Sequence, residues 1–331
     1  MNNFEKYAIC DIHLHLDGSL SAKAIIEVAK KENIKLPTYD ENELRKYLEV
    51  PEDCPSLNEY LKRFDIPNLV LQTKYGLNHC TLDLLKRLSN DGVKYCEIRM
   101  APQLSTSKGL SQEEVVLTLI DTLKEAEEKY GIKSNLILCM MRGTTNQKEN
   151  KETIELVKKY LGNKVCAIDI AGAEAIFPNE MFDFEFALIN HYGLPQTIHA
   201  GEAAGPESVK SALQFGADRI GHGIHAIQDK EVCELIKKLG ICLEICPKSN
   251  LDTKAINSYD ELPIRQFINM GIKVSINSDD MTVSNTSVKK EYETLAKLGF
   301  NEKELQSFAL NTIEAAFTDN DTKEYLKKFI L

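Results

Sequence analysis

Four short segments carry side chains that could hold a divalent cation and activate a water molecule. His13-Leu14-His15 places two imidazoles at i, i+2, a spacing that on a strand sends both rings to the same face. His199-Ala200-Gly201-Glu202 adds a third imidazole with a carboxyl three residues on, and Asn277-Ser278-Asp279-Asp280 adds a carboxylate pair. Three histidines and an aspartate, His13, His15, His199 and Asp279, form a nitrogen and oxygen donor set suited to Zn²⁺. A fifth group, His222, lies within Gly221-His222-Gly223, where small neighbours permit close approach and an unusual backbone. It could orient or deprotonate a water. Each segment alone also fits a plainer reading, since buried histidines make local hydrogen bonds and Asp pairs cap helices or sit in loops. What carries the chemical reading is that all four fall at the ends of β-rich runs.

Eight such runs recur along the chain: Tyr7–Leu16, Val93–Ala101, Asn135–Met141, Val165–Ala171, Leu194–His199, Arg219–His222, Ile241–Cys246 and Ile272–Asn277. Most are nearly continuous in Ile, Val, Leu and Cys, as strands covered on both faces should be. Amphipathic stretches separate them, among them Gln112–Tyr130, Lys151–Leu161, Glu207–Phe215 and Lys230–Leu239, with apolar residues at helical spacing. Eight strand-then-helix units predict an α/β fold, a (β/α)₈ TIM barrel, whose active site lies at the C-terminal ends of the strands. An insertion over roughly residues 20–92, with helices near 21–33, 41–48 and 77–91 and a Pro-marked section at Pro51, Pro55 and Pro67, should cover the barrel mouth. Val288–Ala316 and Thr322–Phe329 read as two or three closing helices. Without linker or low-complexity tract, residues 1–331 are expected to form one domain.

The fourth run ends at Ile170-Ala171-Gly172 with no lysine; Lys164 stands at its start. No bridging ligand for a second metal is evident, so one ion per chain is expected, with an open coordination position as hydrolytic zinc requires. Zinc lowers the pKa of bound water from about 15.7 to about 7. What remains to be supplied is a proton donor.

Composition narrows the partners. Forty basic against fifty acidic residues give a net charge of −10, which disfavours nucleic acid and anionic membranes and favours a neutral or cationic small molecule. The charged fraction of 27% and mean hydropathy of −0.28 are those of an ordinary globular chain. Nine cysteines, odd in number and scattered mostly in apolar runs, read as reduced thiols of a cytoplasmic protein. Met1–Tyr7 has neither the basic start nor the apolar stretch of a signal peptide, and no run approaches transmembrane length. Nothing in the sequence assigns an oligomeric state.

The motifs, in order and over nearly the whole chain, resemble those of the adenosine deaminase family. His13-Leu14-His15-Leu16-Asp17-Gly18-Ser19-Leu20 is similar to its opening motif and Thr197-Ile198-His199-Ala200-Gly201-Glu202 to its third-ligand and acid motif. Arg219-Ile220-Gly221-His222-Gly223 and Ser275-Ile276-Asn277-Ser278-Asp279-Asp280 match the last two, with further likeness at Ile98–Leu104 and Cys246–Asn250. The resemblance implies that His13, His15, His199 and Asp279 hold zinc, with His15 also beside the substrate. It implies that Glu202 shares a proton with purine N1 and that His222 steers the attacking water onto C6. Asp280 would hydrogen-bond N7, the Gly172 amide would reach N3, and Asp17 would meet the ribose hydroxyls. The implied substrates are adenosine and 2′-deoxyadenosine, deaminated in purine salvage. Leu61 and Phe64 in the insertion are candidates for an apolar lid. The chain departs from the family pattern at Ala173, usually Asp, and at Met281, usually Pro.

Four other readings compete. Adenine-specific relatives usually carry Glu at the place of Asp17 and Asp at that of Gly221, so this sequence resembles the nucleoside type. A nucleotide substrate needs a phosphate cradle, and no Gly-rich Lys-Ser/Thr loop or Arg cluster is evident; Arg99 and Arg142 read better as structural ion-pair partners. A barrel that only binds nucleosides is argued against by the intact ligand set. The zinc deaminases of flipped bases use a His-x-Glu and Pro-Cys-x-x-Cys signature; Cys246-Pro247 has the reverse order and no second cysteine.

Overall fold

The computed structural model describes residues 4–331. Met1, Asn2 and Asn3, which open the expected 1–331 domain and the expected leaderless N-terminus, lie outside the described residues. Eight parallel strands alternate with helices: β1 Cys10–His15, β2 Tyr95–Met100, β3 Lys133–Met141, β4 Val165–Ala171, β5 Thr197–Ala200, β6 Arg219–His222, β7 Cys242–Ile245 and β8 Lys273–Ile276. β1 to β4 form one ladder and β5 to β8 another, each in sequence order. Two seams join them. Ile168 bridges Gln196 between β4 and β5, and Leu14 bridges Asp279 between β8 and β1. At the second seam the His15 amide donates to the Asp279 carbonyl and the Asp279 amide to the His13 carbonyl, both at 2.8 Å. The closed ladder is the (β/α)₈ TIM barrel expected of the sequence.

The strands are buried on both faces because helices surround them. These are α1 (Ala22–Glu32), α2 (Glu41–Leu48), α3 (Leu57–Leu61), α4 (Asp65–Val70), α5 (Lys74–Asn90), α6 (Gln112–Tyr130), α7 (Gln147–Tyr160), α8 (Asp183–Tyr192), α9 (Pro206–Gln214), α10 (Lys230–Leu239), α11 (Pro247–Asp252), α12 (Ile264–Met270), α13 (Val288–Lys297), α14 (Glu302–Ala315) and α15 (Asn320–Lys327). Their starts follow local chemistry. Ser111 caps α6 in a reciprocal box with Glu114, and Asp229 caps α10 by accepting the Glu231 and Val232 amides. α10 then buries Val232, Cys233 and Ile236, one stripe at helical spacing. No helix among the described residues is long and apolar enough to cross a membrane. All nine cysteines are buried and free.

The insertion after β1 contains α1 to α5. Its Pro-marked section is more helical than the sequence reading allows, because Pro67 falls in the first turn of α4, where a missing N–H costs nothing. The section packs over the barrel mouth: the Val50 amide donates to the Val283 carbonyl at 2.8 Å, and Cys54, Tyr60 and Val283 form a small apolar cluster with Leu57 and Phe64 against it.

Candidate active site

At the C-terminal rim, strand alternation turns His13 and His15 inward together, while Leu14 holds the seam to β8. His199 arrives from β5, His222 is the last residue of β6, and Asp279 follows β8. The distances are short. His13 Nε2 lies 3.2 Å and His15 Nε2 3.4 Å from Asp279 Oδ1, and the His15 and His199 Nε2 atoms are 3.3 Å apart. His222 Nε2 stands 3.8 Å from Asp279 Oδ2 and 3.7 Å from Glu202 Oε2. His222 and Asp279 both hold φ of 60°, a left-handed conformation that costs about 1–2 kcal/mol outside glycine and is found where function demands it. Gly221 makes room for the cluster: a β-carbon there would come within 3.1 Å of His13 Cε1 and 3.2 Å of the His199 backbone.

The tightest metal-competent group is His13, His199, His222 and Asp279, whose ligand atoms lie within 4.8 Å of one another, and His15 closes on two of its members. Five groups therefore converge where the sequence reading expects four ligands and one adjacent histidine. The donors fit a cation. His13 Nε2 is fully buried without a hydrogen-bond partner, and imidazole nitrogens facing each other beside a carboxylate are the donor set of a zinc ion. Beside them opens a cavity of about 250 Å³, room for a small molecule, lined by Asp17, Gly172, Glu202 and Asp280 and roofed by Leu61 and Phe64.

The sequence matches the family model described as adenosine deaminase over residues 9–330. The chain belongs to the adenosine deaminase family. It is 46% identical to the adenosine deaminase of Haemophilus ducreyi over 97% of this chain and 95% of that one, and 44% identical to that of Clostridium botulinum over 99% of each. Among solved structures it resembles adenine deaminase from Arthrobacter aurescens, with a TM-score of 0.88, 28% identity and 98% of both chains covered. It also shares its fold with Arabidopsis N6-mAMP deaminase, at a TM-score of 0.86 and 24% identity over 100% of this chain and 99% of that one. The adenosine deaminase relatives are hydrolases of C–N bonds in cyclic amidines, and this chain is an enzyme of that kind.

Within this adenosine deaminase frame, the histidines are set by groups that the sequence reading did not single out. His13 Nδ1 is 2.8 Å from Glu244 Oε2, and His199 Nδ1 is 2.8 Å from Asp169 Oδ2. A carboxylate on Nδ1 keeps the proton there and leaves Nε2 free as a ligand. His222 differs: its Nδ1 faces the Asn250 amide nitrogen at 3.0 Å, so with the amide so assigned Nδ1 accepts and Nε2 carries the proton. Arg99 joins both carboxylates, 2.8 Å from Asp169 and in contact with Glu244; Arg219 holds Glu244 at 2.5 Å and Glu97 at 2.7 Å. Burial opposes ionisation, but Arg99 and Arg219 hold Glu244 far below the carboxylate range, and His199 and Arg99 do the same for Asp169. Arg142 braces the rim by donating to the His199 carbonyl at 2.7 Å and to Asn179 at 2.7 Å. Arg99 is thus the ion-pair partner expected of the sequence, whereas Arg142 is structural through carbonyl and amide oxygens and not through an ion pair.

The cavity carboxyls are shifted the other way. Burial, then Asp279 and Glu174, push Glu202 up to about 8. Burial raises Asp17 to about 6, and burial with Asp279 and Asp17 lifts Asp280 well above its ordinary value. Burial takes His15 down to about 3 and His222 well down, despite the opposing Asp279 charge. Glu202 is positioned by its loop: Glu174 accepts the amides of Gly201 at 2.6 Å, Glu202 at 3.1 Å and Ala203 at 2.7 Å, and the Ser208 hydroxyl at 2.5 Å. Gly18 is required beside Asp280, since a β-carbon there would fall 1.7 Å from Oδ1. At the departure Met281, the backbone N–H donates to Ser19 Oγ at 3.0 Å, a bond that the usual proline lacks.

Proposed function

We propose that the chain is a cytoplasmic, zinc-dependent deaminase of purine salvage that converts adenosine and 2′-deoxyadenosine to inosine and 2′-deoxyinosine with release of ammonia. Residues 1–331 act as one metal-dependent hydrolase domain holding one ion through His13, His15, His199 and Asp279. When bound, the zinc ion makes a water nucleophilic at neutral pH. Glu202, protonated near neutrality by its burial among carboxylates, donates its proton to purine N1 and renders C6 electrophilic. His222, its Nδ1 facing the Asn250 amide, orients the attacking water. Asp280 donates to N7, the Gly172 amide donates to N3, and Asp17 accepts from the ribose. Leu61 and Phe64 exclude competing water.

The observation that carries this reading is the placement of Glu202, a buried carboxyl 3.7 Å from His222 on the wall of a small cavity that also meets His15, His199 and Asp279. The cavity also selects against the rivals. Its lining holds no Lys or Arg, so a 5′-phosphate has no cationic side chain to meet there. An aspartate at position 221, the adenine-type residue, would press on His13 and His199. Ultraviolet monitoring of the metal-analysed protein with adenosine, 2′-deoxyadenosine, adenine and AMP tests the reading. Turnover of the two nucleosides is expected. Faster turnover of adenine or AMP, or tight nucleoside binding without ammonia release from zinc-loaded protein, overturns it.

A further inference from the structure

Tyr60 belongs to the insertion, outside the barrel, yet its hydroxyl reaches the rim. It donates to Asp280 Oδ2 at 2.9 Å and lies 2.8 Å from Ser284 Oγ. The residue is 1% exposed, and its ring sits in the apolar cluster with Cys54 and Val283 and near Phe64, 6.2 Å between ring centroids. A phenol has one proton. With that proton on Asp280, the Ser284 hydroxyl is the donor into the phenol oxygen. Ser284 is itself fixed to the turn, its amide donating to the Asp280 carbonyl at 2.9 Å. Asp280 is therefore held on one side by Tyr60 and confined on the other by Gly18, which leaves Oδ1 buried and without a partner.

We propose that Tyr60 is a positioning residue for substrate recognition, orienting the Asp280 carboxyl for purine N7 only while the insertion is seated over the cavity. The inference rests on the assignment of Asp280 to N7 in the preceding section. It makes the lid part of base recognition. The insertion segment with Leu61 and Phe64, which roofs the base, carries the hydroxyl that sets the N7 partner, so an open lid presents a misdirected Asp280 as well as an open cavity.

The test measures inhibition constants of inosine and 7-deazainosine, in which CH replaces N7, on the full-length zinc-loaded protein and on Tyr60→Phe and Ser284→Ala. The parent protein is expected to prefer inosine. Tyr60→Phe should shrink that preference by roughly three- to tenfold, the value of one hydrogen bond, through weaker inosine binding with 7-deazainosine unchanged. Metal content should match the parent. Ser284→Ala should move the ratio the same way by less, and it carries the test if the tyrosine variant folds poorly. A parent that does not distinguish the two ligands removes the N7 assignment and the proposal with it. A parent preference that survives intact in both variants removes only the role of Tyr60. Equal weakening of both ligands in Tyr60→Phe also overturns it, reducing Tyr60 to lid packing.

Discussion

Two buried polar regions share this barrel, and their charges are arranged on opposite principles. Across the interior, Glu97, Arg99, Asp169, Arg219 and Glu244 interlock, each carboxylate within 2.8 Å of an arginine nitrogen. At the rim, Asp17, Glu202, Asp279 and Asp280 share a cavity wall with no lysine or arginine. In the first region Asp169 and Glu244 stay ionised because their partners compensate desolvation. The second is left short of positive charge, so its carboxyls rise in pKa or wait for a cation and a base. Paired charges build the frame, and unpaired ones are where binding energy and proton transfer can be used. The two regions meet at His13 and His199, which turn one nitrogen to each.

The largest expected effect breaks the rim alone. Glu202→Gln removes the transferable proton while keeping shape, so turnover of adenosine should fall by about 10²–10⁴-fold with zinc still bound. Steady-state kinetics beside metal analysis checks this, and near-parental turnover refutes the proton-donor role. Breaking the frame should read differently. Arg99→Met strands Asp169 without an arginine and leaves Glu244 to Arg219 alone, and should cost about 3–5 kcal/mol of folding stability, measured by denaturant unfolding. A loss below about 1 kcal/mol would show that the two regions do not differ as argued.

The junction should show both behaviours in milder form. Asp169→Asn leaves the His199 ring in place but removes the anion that fixes its proton, so zinc affinity should drop by about 10–100-fold. His199→Ala, which deletes a ligand, should lower metal content and activity together. Competition with a chelator separates the two, and full zinc occupancy in His199→Ala would remove that residue from the ligand set.

Much of the rim is legible in the sequence and little of the frame is. His13 and His15 declare themselves because two donors on one strand must be two residues apart, and Gly221 and Gly223 flag the crowding around His222. Glu244 and Asp169 are single acids in apolar strands, and nothing in their spacing tells that the partner of each is an arginine or imidazole from another strand. Nothing in the sequence singles out Tyr60, whose hydroxyl partner is 220 residues away. The strands follow from their apolar runs, with ends displaced by a few residues where the seams lie. Leu194–Gln196 reads as strand, but only Gln196 bridges β4, and the Pro195 carbonyl accepts from the Ile168 amide at 3.0 Å before β5 begins.

The smallest expected effect sharpens the comparison through pH. A carboxyl with an ordinary pKa of 4.5 when unfolded and about 8 when folded binds its proton more tightly in the native state. Its contribution to stability is therefore greatest below the unfolded value and is lost as pH rises from about 4.5 to about 8, after which the charge is buried at full cost. Glu202→Gln is neutral at every pH and escapes that loss. In metal-free protein the variant should melt on the order of 1–2 °C above the parent at pH 8, for each kcal/mol relieved, and the gap should close toward pH 4.5. Arg99→Met should show no such gain at any pH, since its neighbours are ionised throughout. For the active parent, kcat/KM should fall as rising pH ionises Glu202, because the proton destined for N1 is then gone. Scanning calorimetry from pH 5 to 8 decides the first point; a Glu202→Gln variant less stable than the parent at pH 8 would mean that Glu202 is paired in the frame rather than held unpaired at the rim.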